Sequence, residues 1–303
     1  MYNISIIICA LNEEKNIGFL IQDILNQKYD FDFKNNFVLE NITIVSDGST
    51  DKTNKIVKIF QKKDKRIKLI INNNRIGKIY CLENIFKSIN SDFIIMFDAD
   101  VRLKNDTINF LAKPLIKNNY DLIGGNPIPM KTKKLFNLAE RSSFFSWLIL
   151  QEIKKENPNS IYSAHGRILL ISKKLYKILN IGESSTPGDD QFIYLMSNHN
   201  FYYEKNAIVY YFMPNLIKDY LKQNVRFRKA KLVRINSLFT DDYIKNEFKI
   251  NKKLSLFIKT FLKHPFLSFI WIFMFGLGYF QFKIIVQNSN DINKIWGEVK
   301  STK

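Results

Sequence analysis

The sequence predicts an α/β protein with a mostly parallel central sheet flanked by helices, followed by C-terminal amphipathic and membrane-type helices. Three observations lead there. Short β-branched runs alternate with stretches of helical period through the first half of the chain. Three polar clusters each follow directly on an apolar run, and a nearly uninterrupted apolar stretch lies close to the C-terminus.

The elements follow in order. Ile4 to Cys9 reads as a first strand, and after Asn12-Glu13-Glu14 the positions Ile17, Leu20, Ile21, Ile24 and Leu25 share one face of a helix. Ile42 to Ser46 is a second strand; Asp47-Gly48-Ser49-Thr50-Asp51 then turns into a helix bearing Ile56, Val57, Ile59 and Phe60. Ile67 to Ile71 forms a third strand, Ile79 to Ile89 a helix, and Asp92 to Phe97 a fourth strand ending at Asp98-Ala99-Asp100. A helix is expected from Thr107 to Ile116, a short strand at Leu122 to Pro127, and an amphipathic helix from Leu135 to Ile153 that belongs either to the core or to a bilayer surface. Lys249 to Lys263 is basic and amphipathic. Pro265 to Val286 is apolar over roughly 20 residues, or about 30 Å of helix, which is enough to span hydrocarbon, re-enter it or lie on it. The lysines before it predict a cytoplasmic catalytic domain on a cell membrane.

The chain of 303 residues is long enough for one catalytic domain and an appendage. The expected division is 1–215 for the catalytic domain, 216–264 for a basic interface region and 265–303 for a membrane-associated segment. A net charge of +18 attracts polyanions without choosing among nucleic acid, anionic lipid and phosphorylated substrate. No basic recognition motif favours nucleic acid, and no glycine-rich dinucleotide or phosphate-loop pattern favours a dehydrogenase or P-loop enzyme. The two cysteines, Cys9 and Cys81, sit in apolar stretches and are expected to be packing residues; the N-terminus shows no signal-peptide pattern.

Chemistry concentrates at the strand ends. Asp98 and Asp100, one residue apart after a buried strand, can offer hard oxygen ligands to Mg²⁺ or Mn²⁺, with a nucleotide diphosphate supplying the rest. Solvated loop aspartates are the alternative. Asp47 can accept hydrogen bonds from a base or ribose, or belong to a capped turn, and Asn12 and Glu13 admit the same two readings. His165, in Ser163-Ala164-His165-Gly166-Arg167, is expected to be a hydrogen-bonded structural residue.

Ala10-Leu11-Asn12-Glu13-Glu14, Ser46-Asp47-Gly48-Ser49-Thr50-Asp51 and Phe97-Asp98-Ala99-Asp100, in this order and spacing, resemble the family 2 glycosyltransferases. Asn74-Arg75-Ile76-Gly77-Lys78 followed by Leu82-Glu83-Asn84 is similar to that family as well, and the likeness runs to about Lys229. It implies a GT-A type nucleotide-sugar-binding fold and a hexosyltransferase-type enzyme that takes a UDP- or GDP-sugar and inverts the anomeric carbon. On matching positions it implies that Asn12, Glu13 and Asp47 hold the nucleoside, that Lys78 approaches it, and that Asp98 and Asp100 serve ribose, diphosphate and a divalent metal, with Asp100 the direct ligand. Cys9 and Leu11 stand where the family carries Pro and an aromatic residue.

Thr186-Pro187-Gly188-Asp189-Asp190-Gln191-Phe192 lies where the family carries an acidic residue followed by Asp, which makes Asp190 the expected base, with Asp189 raising its pKa or capping a helix near Gln191. Gln223-Asn224-Val225-Arg226-Phe227 looks like the family's Gln-X-X-Arg-Trp element, with Phe227 replacing Trp. There Gln223 and Arg226 would contact the donor diphosphate; otherwise Arg226, Arg228, Lys229, Lys231 and Arg234 face anionic lipid. The expected function is metal-assisted single displacement of a sugar onto a lipid-linked or growing-glycan acceptor. The alternative is a non-catalytic binder of anionic lipid or nucleic acid.

Overall fold

The computed structural model describes residues 1–130, 137–179, 188–232, 239–250 and 253–288. Thr186, Pro187, Arg234, Lys252 and residues 289–303 of the expected tail lie outside the described residues, as do the side chains of Phe227, Lys229 and Lys231.

Strand β1 (Tyr2–Ala10) leads through α1 (Ile17–Leu25) and α2 (Phe31–Asn36) into β2 (Phe37–Asp47), and α3 (Thr53–Lys63) leads into β3 (Ile67–Asn72). Then come α4 (Lys78–Ser88), β4 (Phe93–Asp98), the short β5 (Val101–Leu103) and α5 (Thr107–Ala112). These strands lie in the order β3-β2-β1-β4, with every pairing among the four parallel. Alternation explains the layers. Ile4, Ile6 and Ile8 of β1 pack with Ile17, Leu20 and Val57 on one side of the sheet, while Ile7 meets Leu82, Ile85 and Phe86 on the other.

The second half of the sheet is mixed. β6 (Leu122–Pro129), β7 (Ile168–Ser172) and β8 (Phe201–Tyr211) extend it in the order β4-β7-β6-β8-β5, with β7 antiparallel to both neighbours. Among the described residues four of the seven pairings are parallel, so the expected mostly parallel sheet holds, with an antiparallel insertion the sequence patterning does not predict. The expected helix from Thr107 to Ile116 stops at Ala112, and Lys113–Ile116 is a 3-10 turn, because Pro114 cannot donate the next helical hydrogen bond. Strand β2 begins at Phe37 rather than Ile42, since Phe37 and Leu39 point inward while Val38 and Glu40 point out.

Helix α6 (Leu138–Glu156) opens on a capping box in which Asn137 and Glu140 satisfy each other's backbone N–H groups. After α7 (Lys173–Tyr176) and α8 (Asp189–Met196), the chain ends in α9 (Ile217–Leu232), α10 (Asp241–Glu247), α11 (Lys253–Lys263) and α12 (Pro265–Asn288). The segments from Ile217 onward are not remote from the sheet domain. α12 packs on α6 and α9, and Phe145 of α6 meets Phe257 of α11 and Trp271 of α12.

Candidate active site

The carboxyl ends of β1, β2 and β4 lie side by side, with Cys9 opposite Asp98 and Ala10 opposite Ser46 in the ladder. Everything polar at these ends therefore borders one crevice. On its β2 side, Asp47 is buried, and its two carboxylate oxygens accept the N–H groups of Ile76 and Gly77, each at 2.8 Å. Such hydrogen bonds to a charged acceptor contribute about 1.5–3 kcal/mol apiece. They fix the loop that leads into α4. Gly48 is required for the same approach: its φ is +74°, and a Cβ there would sit 2.7 Å from the Arg75 nitrogen.

Asn12 and Glu13 join the ends of β1 and β2. The Asn12 side-chain oxygen accepts the Thr50 N–H at 2.8 Å, and Thr53 Oγ1 accepts the Glu13 N–H at 2.8 Å. Glu13 also accepts from Asn16 Nδ2 at 2.9 Å. These contacts hold the first two polar clusters together as one wall.

Lys78, the first residue of α4, is delivered into the middle of the crevice by the loop that Asp47 grips. Its Nζ donates to Asp98 Oδ1 at 2.8 Å and lies 2.9 Å from Asp189 Oδ2, the second contact being an ion pair off hydrogen-bond alignment. Burial opposes the Lys78 charge, yet Asp189 and Asp98 outweigh it and hold its pKa well above the usual lysine value. The side chain stays 34% exposed, so water screens this bridge. Burial likewise pushes Asp189 up, and Lys78 more than reverses it, so that Asp189 titrates below the ordinary aspartate range.

Asp190 experiences the opposite balance. Its Oδ2 accepts the Gly166 N–H at 3.0 Å and its Oδ1 accepts the Gln191 N–H at 2.9 Å. Burial and then the neighbouring Asp189 charge raise its pKa to about 6, against the pull of the Gly166 hydrogen bond. Two adjacent carboxylates are thus driven apart in acidity. Both are also the first residues of α8, where a helix N-terminus favours negative charge.

From α9, Arg226 reaches the same place. Burial lowers its pKa while Asp98, Asp100 and Asp189 act on it electrostatically from across the crevice. Gln223 lies one turn earlier on α9 and is half-buried. The structure thereby brings Lys78, Asp98, Asp189 and Asp190 together, with Asp100 and Arg226 within electrostatic reach and buried Asp47 holding the loop that leads into Lys78.

Among the described residues no three His, Cys, Asp or Glu side chains gather into a closed metal site. Asp98 and Asp100 are both half-buried at the crevice and carry only hard oxygen donors. Asp98 shares one carboxylate oxygen with Lys78, and a pair of such carboxylates offers the oxygen donors that Mg²⁺ or Mn²⁺ accepts when a diphosphate and water complete its shell. The residues present fit such an ion.

Sequence reasoning gave three residues no role. Gly166 supplies the N–H that holds Asp190, in a segment whose small residues were the only signal. Arg167 donates to His165 Nε2 at 2.9 Å and stacks its guanidinium 3.8 Å from the centre of the Tyr211 ring. Burial, and the Arg167, Lys154 and Lys78 charges, hold the His165 pKa well below its usual value, so the ring is a neutral hydrogen-bonded residue, as expected. Lys154 is buried over the Tyr203 ring, and burial lowers its pKa to about 8. No periodicity marks it.

A GT-A glycosyltransferase is the class of protein to which this sheet belongs. A mannosyltransferase from Pyrobaculum calidifontis, solved with GDP-Man and Mn²⁺, superposes with a TM-score of 0.57 at 14% identity, over 95% of this chain and 76% of that one. S. aureus TarS with UDP-GlcNAc gives 0.52 at 16% identity, over 91% of this chain and 80% of that one. The profile of Glycosyl transferase family 2 matches residues 5–179, and the chain belongs to that family. It is therefore a glycosyltransferase by family, the expected reading and not the alternative of a non-catalytic binder. A Methanococcus voltae dolichyl N-acetyl-alpha-D-glucosaminyl phosphate 3-beta-D-2,3-diacetamido-2,3-dideoxy-beta-D-glucuronosyltransferase is 26% identical over 93% of this chain and 81% of its own length. The poly-beta-1,6-N-acetyl-D-glucosamine synthase of Staphylococcus epidermidis is 22% identical over 95% of this chain. The match spans 66% of that synthase, and only 38% of an uncharacterized glycosyltransferase from Haemophilus influenzae that is 32% identical over 43% of this chain.

Proposed function

We propose that the chain moves a sugar from a UDP- or GDP-sugar to the hydroxyl of a lipid-linked or growing-glycan acceptor, with inversion, on the cytoplasmic face of a membrane. The observation that carries this reading, in a chain of Glycosyl transferase family 2, is the meeting of Lys78 with Asp98 and Asp189 beside Asp190, which the Gly166 N–H holds in place. Burial and Asp189 raise the Asp190 pKa, while Lys78 holds Asp189 below the ordinary range. In the transfer an acceptor oxygen attacks the anomeric carbon as its bond to the diphosphate breaks. The oxygen's proton passes to the Asp190 carboxylate, and the nucleoside diphosphate leaves with the bonding electron pair. Asp189 tunes Asp190 and positions Lys78. A divalent cation held by Asp98 and Asp100, the latter directly, would neutralise charge developing on the leaving diphosphate. Lys78, Gln223 and Arg226 bind the same phosphates, Arg226 by paired N–H groups. Asp47 acts on the nucleoside through the loop it holds and at its own edge, with Asn12 and Glu13 shaping that wall. Residues 1–215 supply the chemistry, 216–264 close the crevice with Arg226, and 265–303 set it beside the bilayer.

The reading is tested by metal-dependent release of nucleoside diphosphate across a panel of sugar donors. Asp100→Ala is expected to lower turnover by about a hundredfold or more, the usual scale for loss of charge stabilisation at a leaving group; turnover equal to the parent's rejects the metal assignment. Asp190→Asn is expected to bind donor with Mn²⁺ normally in calorimetry and to lose transfer by about 10²–10⁴-fold. Lost donor binding would place Asp190 on the nucleotide instead.

A further inference from the structure

Helix α12 has 24 residues, about 36 Å, and is apolar enough to cross a bilayer. Its packing points elsewhere. Trp271 Nε1 donates to Ser146 Oγ of α6 at 2.8 Å, and Met274 is fully buried against Ala139 of α6 and Tyr220 of α9. Gly278 lets α9 approach so closely that a Cβ would stand 3.3 Å from Asn224. Cations flank this seam: the Arg141 guanidinium lies 5.3 Å from the Phe266 ring centre, and that of Arg228 4.1 Å from Phe275 and 5.3 Å from Tyr279.

Between Phe266 and Tyr279, about 20 Å of α12 is thus seated on two charged helices. Were α12 to cross the hydrocarbon, Arg228 would be carried in near its middle, disfavoured by roughly a hundredfold at the bilayer centre, and Arg141 would be drawn to its edge. The remaining surface is apolar and solvent-facing. On α12 Phe273 is 60% and Phe280 67% exposed, and on α11 Leu254 and Leu262, eight positions apart on one face, are 72% and 73% exposed. Basic side chains border this surface: Lys259 and Lys263, each about half exposed, share the single carboxylate of Glu152 with Lys155 at 3.1, 3.8 and 2.7 Å, which leaves the cluster net positive, and Lys283 lies at its far end.

We propose that α11 and α12 together form one in-plane docking face, seated at the headgroup and acyl boundary of an anionic leaflet, and that α12 does not traverse the membrane. Apolar area drives the seating and the lysine border selects negative headgroups. This rests on the membrane reading above and adds the topology. It leaves both ends of α12 on the side of the crevice.

Two measurements on the full chain decide it. With epitope tags at both termini, protease added to inverted vesicles should remove both tags, and protease added to intact spheroplasts should remove neither. A C-terminal tag cut in spheroplasts while the N-terminal tag survives overturns the proposal. In the second, Phe273→Asp with Phe280→Asp should keep the parent's circular dichroism and melting temperature, yet bind vesicles of phosphatidylcholine and phosphatidylglycerol about a hundredfold more weakly, at about tenfold or more per ring. Binding equal to the parent's overturns the docking face, as does a parent dimer, seen by light scattering, that the substitutions dissociate. If the parent pellets with no vesicle, the membrane reading itself fails, a result distinct from a crossing helix.

Discussion

At the scale of single residues, the site depends on one lysine placed between two acids. Lys78 Nζ touches both Asp98 and Asp189, and its hold on Asp189 leaves Asp190 as the group whose proton is mobile near neutrality. A base works only when ionised, so kcat/KM should fall as pH drops through about 6, the value to which burial and Asp189 raise Asp190. Asp189→Asn removes the like charge and should move that acid limb to lower pH. A pH profile of kcat/KM for parent and variant checks this, and a limb that moves upward or stays put contradicts the electrostatic account. Asp47, which the sequence offers either as a ligand or as part of a capped turn, does structural work. Its carboxylate holds two backbone amides of the loop that carries Lys78.

Elements meet at their tightest where β6 passes β7 and β8. The pairing of β6 with β8 slips between Gly124 and Asn126, and at Gly125 a Cβ would stand 2.6 Å from Ile168 Cδ1 and 2.7 Å from the Ala207 carbonyl oxygen. Backbone cannot yield there as a flexible side chain can. Gly125→Ala should therefore destabilise the protein by about 1–3 kcal/mol, read as a lowered midpoint in urea unfolding. An unchanged midpoint would mean that the slip in register absorbs the methyl group.

On the scale of the whole molecule, the apolar tail is part of the catalytic body. Met274 fills a buried cluster with Ala139 and Tyr220, and Trp271 is both hydrogen-bonded to Ser146 and packed on Phe145. Deleting the chain from Pro265 onward should release the protein from membranes and also lower its melting temperature, because α6 and α9 lose the surface that covers them. Fractionation and a thermal melt of the truncated form test the two effects separately. A truncated form that still pellets with the bilayer would transfer the membrane contact to the helices that remain.

Local periodicity determined much of this protein. The first four strands, the stripe Ile17, Leu20, Ile21 and Ile24, and the acids at the strand ends were legible because apolar spacing and the polar residues that interrupt it are written in consecutive positions. The tertiary structure alone decided what depends on contacts distant in sequence. It inserted β7 antiparallel beside β4, set Gly166 against Asp190, and brought Cys9 to Cys81, whose hydrogen bond, with burial, pushes the Cys9 thiol well up. It also joined α12 to α6, so that about 20 Å of a stretch long enough to span a bilayer is seated on charged helices. Such pairings are fixed by packing of the complete chain, and a pattern of neighbours carries no information about them.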